Sequence, residues 1–178
     1  MAIKYKEMAE KLNEIGRLDY MEMSAVHKCD FLGSFAEKLK PKPEGIVEIG
    51  TCGGLSTVTL AQVGNIVYTY DIAYKGGEHV WNLFGVRDKI RCCAGPQWQI
   101  DWDLPYVVKR WPQLNFNFAF VDGEHTEKSV RHDFELVKFC KRVLFHNAND
   151  KLIHGFLVDE IKADIIGPGD FFAYWEDK

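Results

Sequence analysis

VEIGTCGGLST, residues 47–57, decides how the rest of the chain is read. A short apolar run (Ile46, Val47, Ile49) encloses Glu48, turns through Gly50 and Gly54, and continues as Leu55, Ser56, Thr57, Val58, Leu60 and Ala61 at helical spacing. The pattern is a strand, a glycine turn and a helix start. Glycines are needed where the main chain turns sharply and an extended ligand must lie against it with no Cβ in the way. The next strand expected, over 66–70, runs into Asp71, twenty-one residues beyond Gly50. An acidic side chain at that tip is placed to take both hydroxyls of a ribose. Together the two segments read as a site for a nucleoside-containing ligand.

The glycine spacing narrows the ligand. A dinucleotide fold uses Gly-x-Gly-x-x-Gly to bring a helix N-terminus to a pyrophosphate, and here position 52 is Cys, so a nicotinamide oxidoreductase is a distant reading. What stands instead, Glu-x-Gly-x-x-x-Gly-x-Ser, resembles motif I of the class I S-adenosylmethionine-dependent methyltransferases. Adenosylmethionine has no phosphate to cradle, and its cationic sulfonium suits a nearby carboxylate.

A second stretch, FAFVDGEHTEKSVRHDFELVKFCKRVLFHNAN over 118–149, strengthens the resemblance. It predicts a strand over 116–121 ending at Asp122, a Gly-Glu-His loop, and a helix capped by Thr126 with Glu127 in its first turn. The helix's apolar face is Val130, Phe134, Val137 and Cys140, and a further strand over 143–146 follows. Asp-Gly-x-His followed by a helix carrying an Asp and then a strand ending His-x-Ala is similar to a branch of small-molecule O-methyltransferases. That branch includes macrolide-sugar and rhamnosyl enzymes and cephalosporin-hydroxylase-like relatives. The resemblance covers roughly residues 45–175.

The resemblance implies a Rossmann-like α/β fold: a mostly parallel seven-stranded sheet with an antiparallel C-terminal strand and helices on both faces. It implies S-adenosylmethionine as cofactor and O-methylation of a small hydroxylated acceptor such as a sugar. Glu48, Gly50, Thr51, Gly54 and Ser56 are then expected around the methionine half, Asp71 at the ribose, Ala94 and Gly95 on the adenine side, and Asp122 beside the transferred methyl. His125 falls where the resembled enzymes carry a histidine base. Those enzymes commonly hold Mg2+ on the Asp after strand four and two acidic residues after strand five. Here strand five ends in His146-Asn147, and Mg2+ prefers hard anionic oxygens. A site on Asp122 and Asn147, with Asp150 as a further ligand, is therefore expected to be weak or absent. The same departure supports an alternative, a catalytically silent adenosylmethionine-binding or assembly protein of this fold.

Composition fits one enzyme domain over 1–178, with N-terminal helices in 1–44 and the cofactor-binding core in 45–178. A chain of 178 residues with 47% hydrophobic content can bury a sizeable core. Its net charge of −4 argues against nucleic acid as a partner, because phosphate affinity comes from clustered Lys and Arg. Five cysteines with no Cys-x-x-Cys pair are expected to be reduced core thiols. The charged start lacks a signal-peptide core and no run approaches eighteen apolar residues, so a soluble cytoplasmic protein is expected, with no membrane partner and homo-oligomerisation left open.

Along the chain, helical spacing joins Met8, Leu12 and Ile15 up to Gly16, then Phe31, Phe35 and Leu39 until Pro41 and Pro43. Strands and helices then alternate, with a third strand over 90–94, as in a parallel sheet covered on both faces. A helix over 152–161 and strands over 163–166 and 171–175, flanking Gly167-Pro168-Gly169, are expected to finish the sheet as an antiparallel edge pair. Asp103-Leu104-Pro105-Tyr106 is similar to the Asp-Pro-Pro-Tyr of adenine N-methyltransferases, but no strand precedes it, and it reads as a helix start. Tyr174 and Lys178 stand at a short-chain dehydrogenase spacing by chance. His27, His79, His132 and His154 read as surface or packing residues, and Trp98, Trp102 and Trp111 read as core more readily than as a substrate cavity.

Overall fold

The structure, a computed structural model, describes residues 5–14, 25–73 and 75–177. The expectations for the helix end at Gly16, the His27 side chain and Lys178 lie outside them. Two helices, α1 (Tyr5–Glu14) and α2 (Ala25–Lys38), lead into alternating elements. These are β1 (Gly45–Ile49), α3 (Leu55–Val63), β2 (Ile66–Asp71), α4 (Glu78–Leu83), β3 (Ile90–Ala94), α5 (Gln97–Arg110) and β4 (Phe116–Val121). Then come α6 (Glu127–Val137), β5 (Arg142–His146), α7 (Lys151–Gly155), β6 (Asp164–Ile166) and β7 (Phe172–Glu176).

The sheet has seven strands in the order β3-β2-β1-β4-β5-β7-β6. Parallel pairs join β1 to β2 and β4, β2 to β3, and β4 to β5, while β7 runs antiparallel to both β5 and β6. The final strand is therefore inserted inside the sheet, and β6 is the edge. Gly167, at φ 83°, makes the turn that sends the chain back between β5 and β6.

Period-two alternation in β1 splits the core. Ile46 belongs to the layer under α1 to α4, with Met8, Leu12, Leu32, Val58 and Leu60. Val47 and Ile49 belong to the opposite layer, with Ile100 and Leu104 of α5 and Val130, Phe134 and Val137 of α6. Thr126 caps α6 as its sequence predicts, its hydroxyl accepting from the Ser129 amide at 3.2 Å. Asp150 caps α7, which continues as a π-turn through Phe156–Glu160.

Two expectations change. Asp103 to Tyr106 lie inside α5, whose start is set by Pro96 at its N-cap; Pro105 is tolerated in the interior of the helix. Trp98 and Trp102 are 70% and 67% exposed and Trp111 is exposed as well. They are neither core nor cleft, because α5 buries only the face carrying Ile100, Leu104 and Val107. No disulfide joins any of the five cysteines, but only Cys29 and Cys140 are buried; Cys92 is exposed on β3. His132 pairs with Asp101 at the surface and His154 meets the Ala148 carbonyl. No described helix is long and apolar enough to cross a membrane.

Candidate active site

In an open α/β sheet, ligands bind beyond the carboxyl ends of the strands where strand order reverses. Here the reversal lies between β1 and β4. A cleft of about 1290 Å³ opens there, lined among others by Lys28, Gly50, Asp71, Gln97, Asp122, His125, His146 and Asn147.

Gly50 forms its floor. The Gly50 amide donates to the Tyr70 carbonyl and the Asp122 amide to the Ile49 carbonyl, both at 2.8 Å, locking β2, β1 and β4 together at the turn. At φ 98°, any Cβ at position 50 would collide with the Asp122 carbonyl. The glycine is therefore required by the backbone crossing before any ligand is considered.

Asp71 stands at the tip of β2 on the cleft wall. Its carboxylate accepts from the amides of Cys52 at 2.8 Å and Ala73 at 3.1 Å, which fixes it beside the glycine turn. Ile72, 71% exposed, and Ile100 add apolar wall on this side.

Asp122 is the hub of the other end. The Lys28 ammonium, carried by α2, donates to its Oδ2 at 2.7 Å, and His146 Nδ1 lies 2.8 Å from Oδ1. His125 Nε2 is 3.6 Å from the same Oδ1. Burial alone pushes this carboxyl up, but the Lys28 charge, the nearby His125 imidazole and the hydrogen bond from His146 outweigh it and hold it far below the usual carboxylate range. The Lys28 ammonium rises in turn: burial opposes its charge, and Asp122 more than restores it. The Asp122 carboxylate 3.6 Å away, against some desolvation, also raises His125.

An ionised Asp122 can only accept, so His146 Nδ1 carries a proton, and in the neutral ring Nε2 is the acceptor. His125 differs. Its Nδ1 meets the Asn147 side-chain amide at 3.1 Å, and its Nε2 is buried against Asp122 with no hydrogen-bond partner among the described residues.

The residues expected on the methionine side divide. Gly50 lines the cleft, but Glu48, Thr51, Gly54 and Ser56 do not. Glu48 shares the Ile46 face of β1 and is completely buried, its Oε2 accepting from Thr57 and Thr69 at 2.6 Å each. Thr51 and Thr69 hydroxyls lie 2.5 Å apart. Since Thr69 gives its proton to Glu48, Thr51 is the donor of that pair. Ser56 is buried in α3, and Gly54 at φ 84° supports the Trp81 indole. Glu48 thus fastens α3 and β2 to β1. On the adenine side, Gln97 and Ile100 line the cleft, while Ala94 and Gly95 do not.

Burial pushes the Glu48 carboxyl up to about 7 against the opposing hydroxyls of Ser56, Thr57 and Thr69. The folded chain therefore binds this proton more tightly than the unfolded chain. The stabilisation is complete below the ordinary value of 4.5 and is lost as pH rises through about 7, a change of roughly 3 kcal/mol at 1.36 kcal/mol per unit. Asp133, raised by burial to about 6, works in the same direction. Urea denaturation is expected to show lower stability at pH 8 than at pH 5, and Glu48→Gln should remove most of that difference. Equal pH slopes in the two proteins would count against the assignment.

The donor set does not suit Mg2+. Both oxygens of Asp122 are engaged, one by an ammonium. Asp150 is spent on the α7 cap, and position 146 offers an imidazole. Among the described residues no three His, Cys, Asp or Glu side chains form a metal-holding group.

Residues 47–143 match the methyltransferase domain family. No curated protein sequence matches the chain. Among solved structures, a Staphylococcus aureus protein named as a caffeoyl-CoA O-methyltransferase aligns with a TM-score of 0.66 at 13% identity, covering 95% of this chain and 91% of its own. A Klebsiella pneumoniae protein named as an O-methyltransferase gives 0.64 at 16% identity, over 97% and 89%. CalS11, a TDP-rhamnose 3'-O-methyltransferase of calicheamicin biosynthesis, gives 0.62 at 16% identity, over 98% and 87%. At such identities the likeness is one of fold.

Proposed function

The chain belongs to the methyltransferase domain family, and from that premise we propose that it transfers the methyl group of S-adenosylmethionine to a hydroxyl of a small acceptor, a sugar being the favoured class. The observation that carries this reading is the pairing of two features in one cleft. At one end a glycine crossing and Asp71 suit a nucleoside, and at the other an imidazole is oriented by Asp122.

In this reading Gly50 would carry the methionine half of the cofactor, Asp71 would hold its ribose, and Ile72, Gln97 and Ile100 would flank its adenine. Bound there, it would supply the electrophilic methyl. The chain's own residues align the acceptor and take its proton. His146 suits the second task better than the expected His125. Its Nε2 is the free acceptor of an aspartate-held imidazole, the arrangement by which a carboxylate fixes a catalytic tautomer, while His125 turns Nε2 into Asp122. Alignment can contribute several kcal/mol, and a base typically adds ~10²- to 10⁴-fold. The enzyme would act in the cytoplasm on a small molecule and not on nucleic acid.

Asp71→Ala is expected to weaken adenosylmethionine binding by about 1.5–3 kcal/mol, the scale of hydrogen bonds to a charged group. Isothermal titration giving unchanged affinity in a folded variant would remove Asp71 from the site. The reading as a whole is tested by transfer of a radiolabelled methyl group to a panel of hydroxylated compounds. A silent binding module, which His146-Asn147 also permits, predicts tight cofactor binding with no transfer to any of them.

A further inference from the structure

The cation that Asp122 faces is supplied by the chain itself. Lys28 sits on α2, 94 residues from Asp122 in sequence, yet its Nζ lies 2.7 Å from Oδ2 with both side chains largely buried, 12% and 8% exposed. We infer that the Lys28 ammonium takes the place of a divalent metal ion in this cleft: it neutralises Asp122, turns its two free N–H groups toward the acceptor oxygen, and excludes the ion.

The first step is charge. A buried carboxylate needs a counter-charge, because an unpaired one costs several kcal/mol. In this cleft the partner of Oδ2 is Lys28 and the partner of Oδ1 is the imidazole N–H of His146. A dication arriving at Asp122 would have to displace the ammonium, and would meet an imidazole and an amide at positions 146 and 147 in place of anionic oxygens. Mg2+ gives up its water reluctantly and does so for carboxylates, so the exchange is unfavourable at each step.

The second step is geometry. An ammonium has three donors, and one is spent on Asp122. The remaining two can meet one hydroxyl oxygen as it gives up its proton, which stabilises developing negative charge where it appears. A point charge on a flexible stem grips one oxygen, whereas a metal ion chelates two. The acceptor class that follows is an isolated hydroxyl, with no advantage for vicinal diols or catechols. This last step rests on the proposed methyl transfer; the exclusion of metal does not.

The test is a titration with Mn2+ read by electron paramagnetic resonance of the free ion, with melting followed in parallel. Wild-type protein is expected to leave Mn2+ free at ~1 mM, the regime of weak oxygen sites, and its melting temperature is expected not to move. Lys28→Met strips the counter-charge while keeping the stem. It should bind Mn2+ at least ~10-fold more tightly than wild type, or, if it folds poorly alone, be restored to native circular dichroism by Mn2+. Adding Asp122→Asn should abolish the effect. Submillimolar Mn2+ binding by wild type that disappears in Asp122→Asn would overturn the inference. So would a Lys28→Met protein that neither binds Mn2+ better than wild type nor is stabilised by it. Neither readout uses turnover, so failure of the methyltransferase reading would leave the metal result standing.

Discussion

Asp122→Ala is expected to destabilise the fold by ~3–5 kcal/mol, the cost of removing one partner of a buried ion pair and leaving the other uncompensated. Lys28 would keep its charge 12% exposed with no carboxylate beside it, and the His146 Nδ1 proton would lose its acceptor. Against a total stability of ~5–15 kcal/mol, the melting temperature should fall by roughly 6–20 °C for a chain of this size. The double variant Asp122→Ala/Lys28→Met is the informative control. Replacing a whole buried pair by apolar groups is often nearly neutral, so the double variant should be more stable than Asp122→Ala alone and the two costs should be strongly non-additive. Urea unfolding of the wild type and three variants measures this. Simple additivity would show that Lys28 and Asp122 do not depend on each other in solution.

His146→Ala should lower methyl transfer by ~10²- to 10⁴-fold, the usual share of a general base, while adenosylmethionine affinity stays within a few-fold. The ring sits at the end of β5 and not at the ribose end of the cleft. His125→Ala is the paired measurement. Its Nε2 is buried facing Asp122 at 3.6 Å and makes no hydrogen bond, so it should cost about tenfold or less, through looser positioning of that carboxylate. Single-turnover rates at saturating cofactor separate the two. A collapse of the rate in His125→Ala alongside near-normal His146→Ala would return the base to the loop position that the sequence favoured.

The choice between the two histidines shows where sequence reading succeeds and where it stops. The strand-turn-helix of residues 47–57 and the Asp-Gly-x-His loop are contiguous signals, because backbone crossings such as Gly50 against Asp122 impose residue types locally. They placed Asp71 and Asp122 on the cleft wall. Lys28 carries no such signal. It lies on a helix before the core fold, among other charged residues, and only the docking of α2 brings it to β4. Glu48 shows a different limit. Strand alternation puts it on the Ile46 side of β1, away from Ile49 and the cleft, so period two outranked the motif's electrostatic appeal. The tryptophans of α5 escaped because large aromatic area says nothing of which helix face is turned inward.

Those tryptophans give the molecule a distinctive optical behaviour. The indoles of Trp98 and Trp102 stand in water along α5, with Trp102 stacked on Tyr106 at 5.3 Å, while Trp81 is sealed at 1% exposure and donates to the Gly54 carbonyl at 3.3 Å. Emission from the native protein will be red-shifted and dominated by one helix surface that has no part in the cleft. A collisional quencher such as acrylamide silences that surface first. The blue, quencher-resistant light that survives comes from Trp81, leaning on the glycine turn, together with the half-buried Trp175 packed on Phe134, and the Trp81 share turns a residue with no chemistry into a gauge of whether that turn has moved.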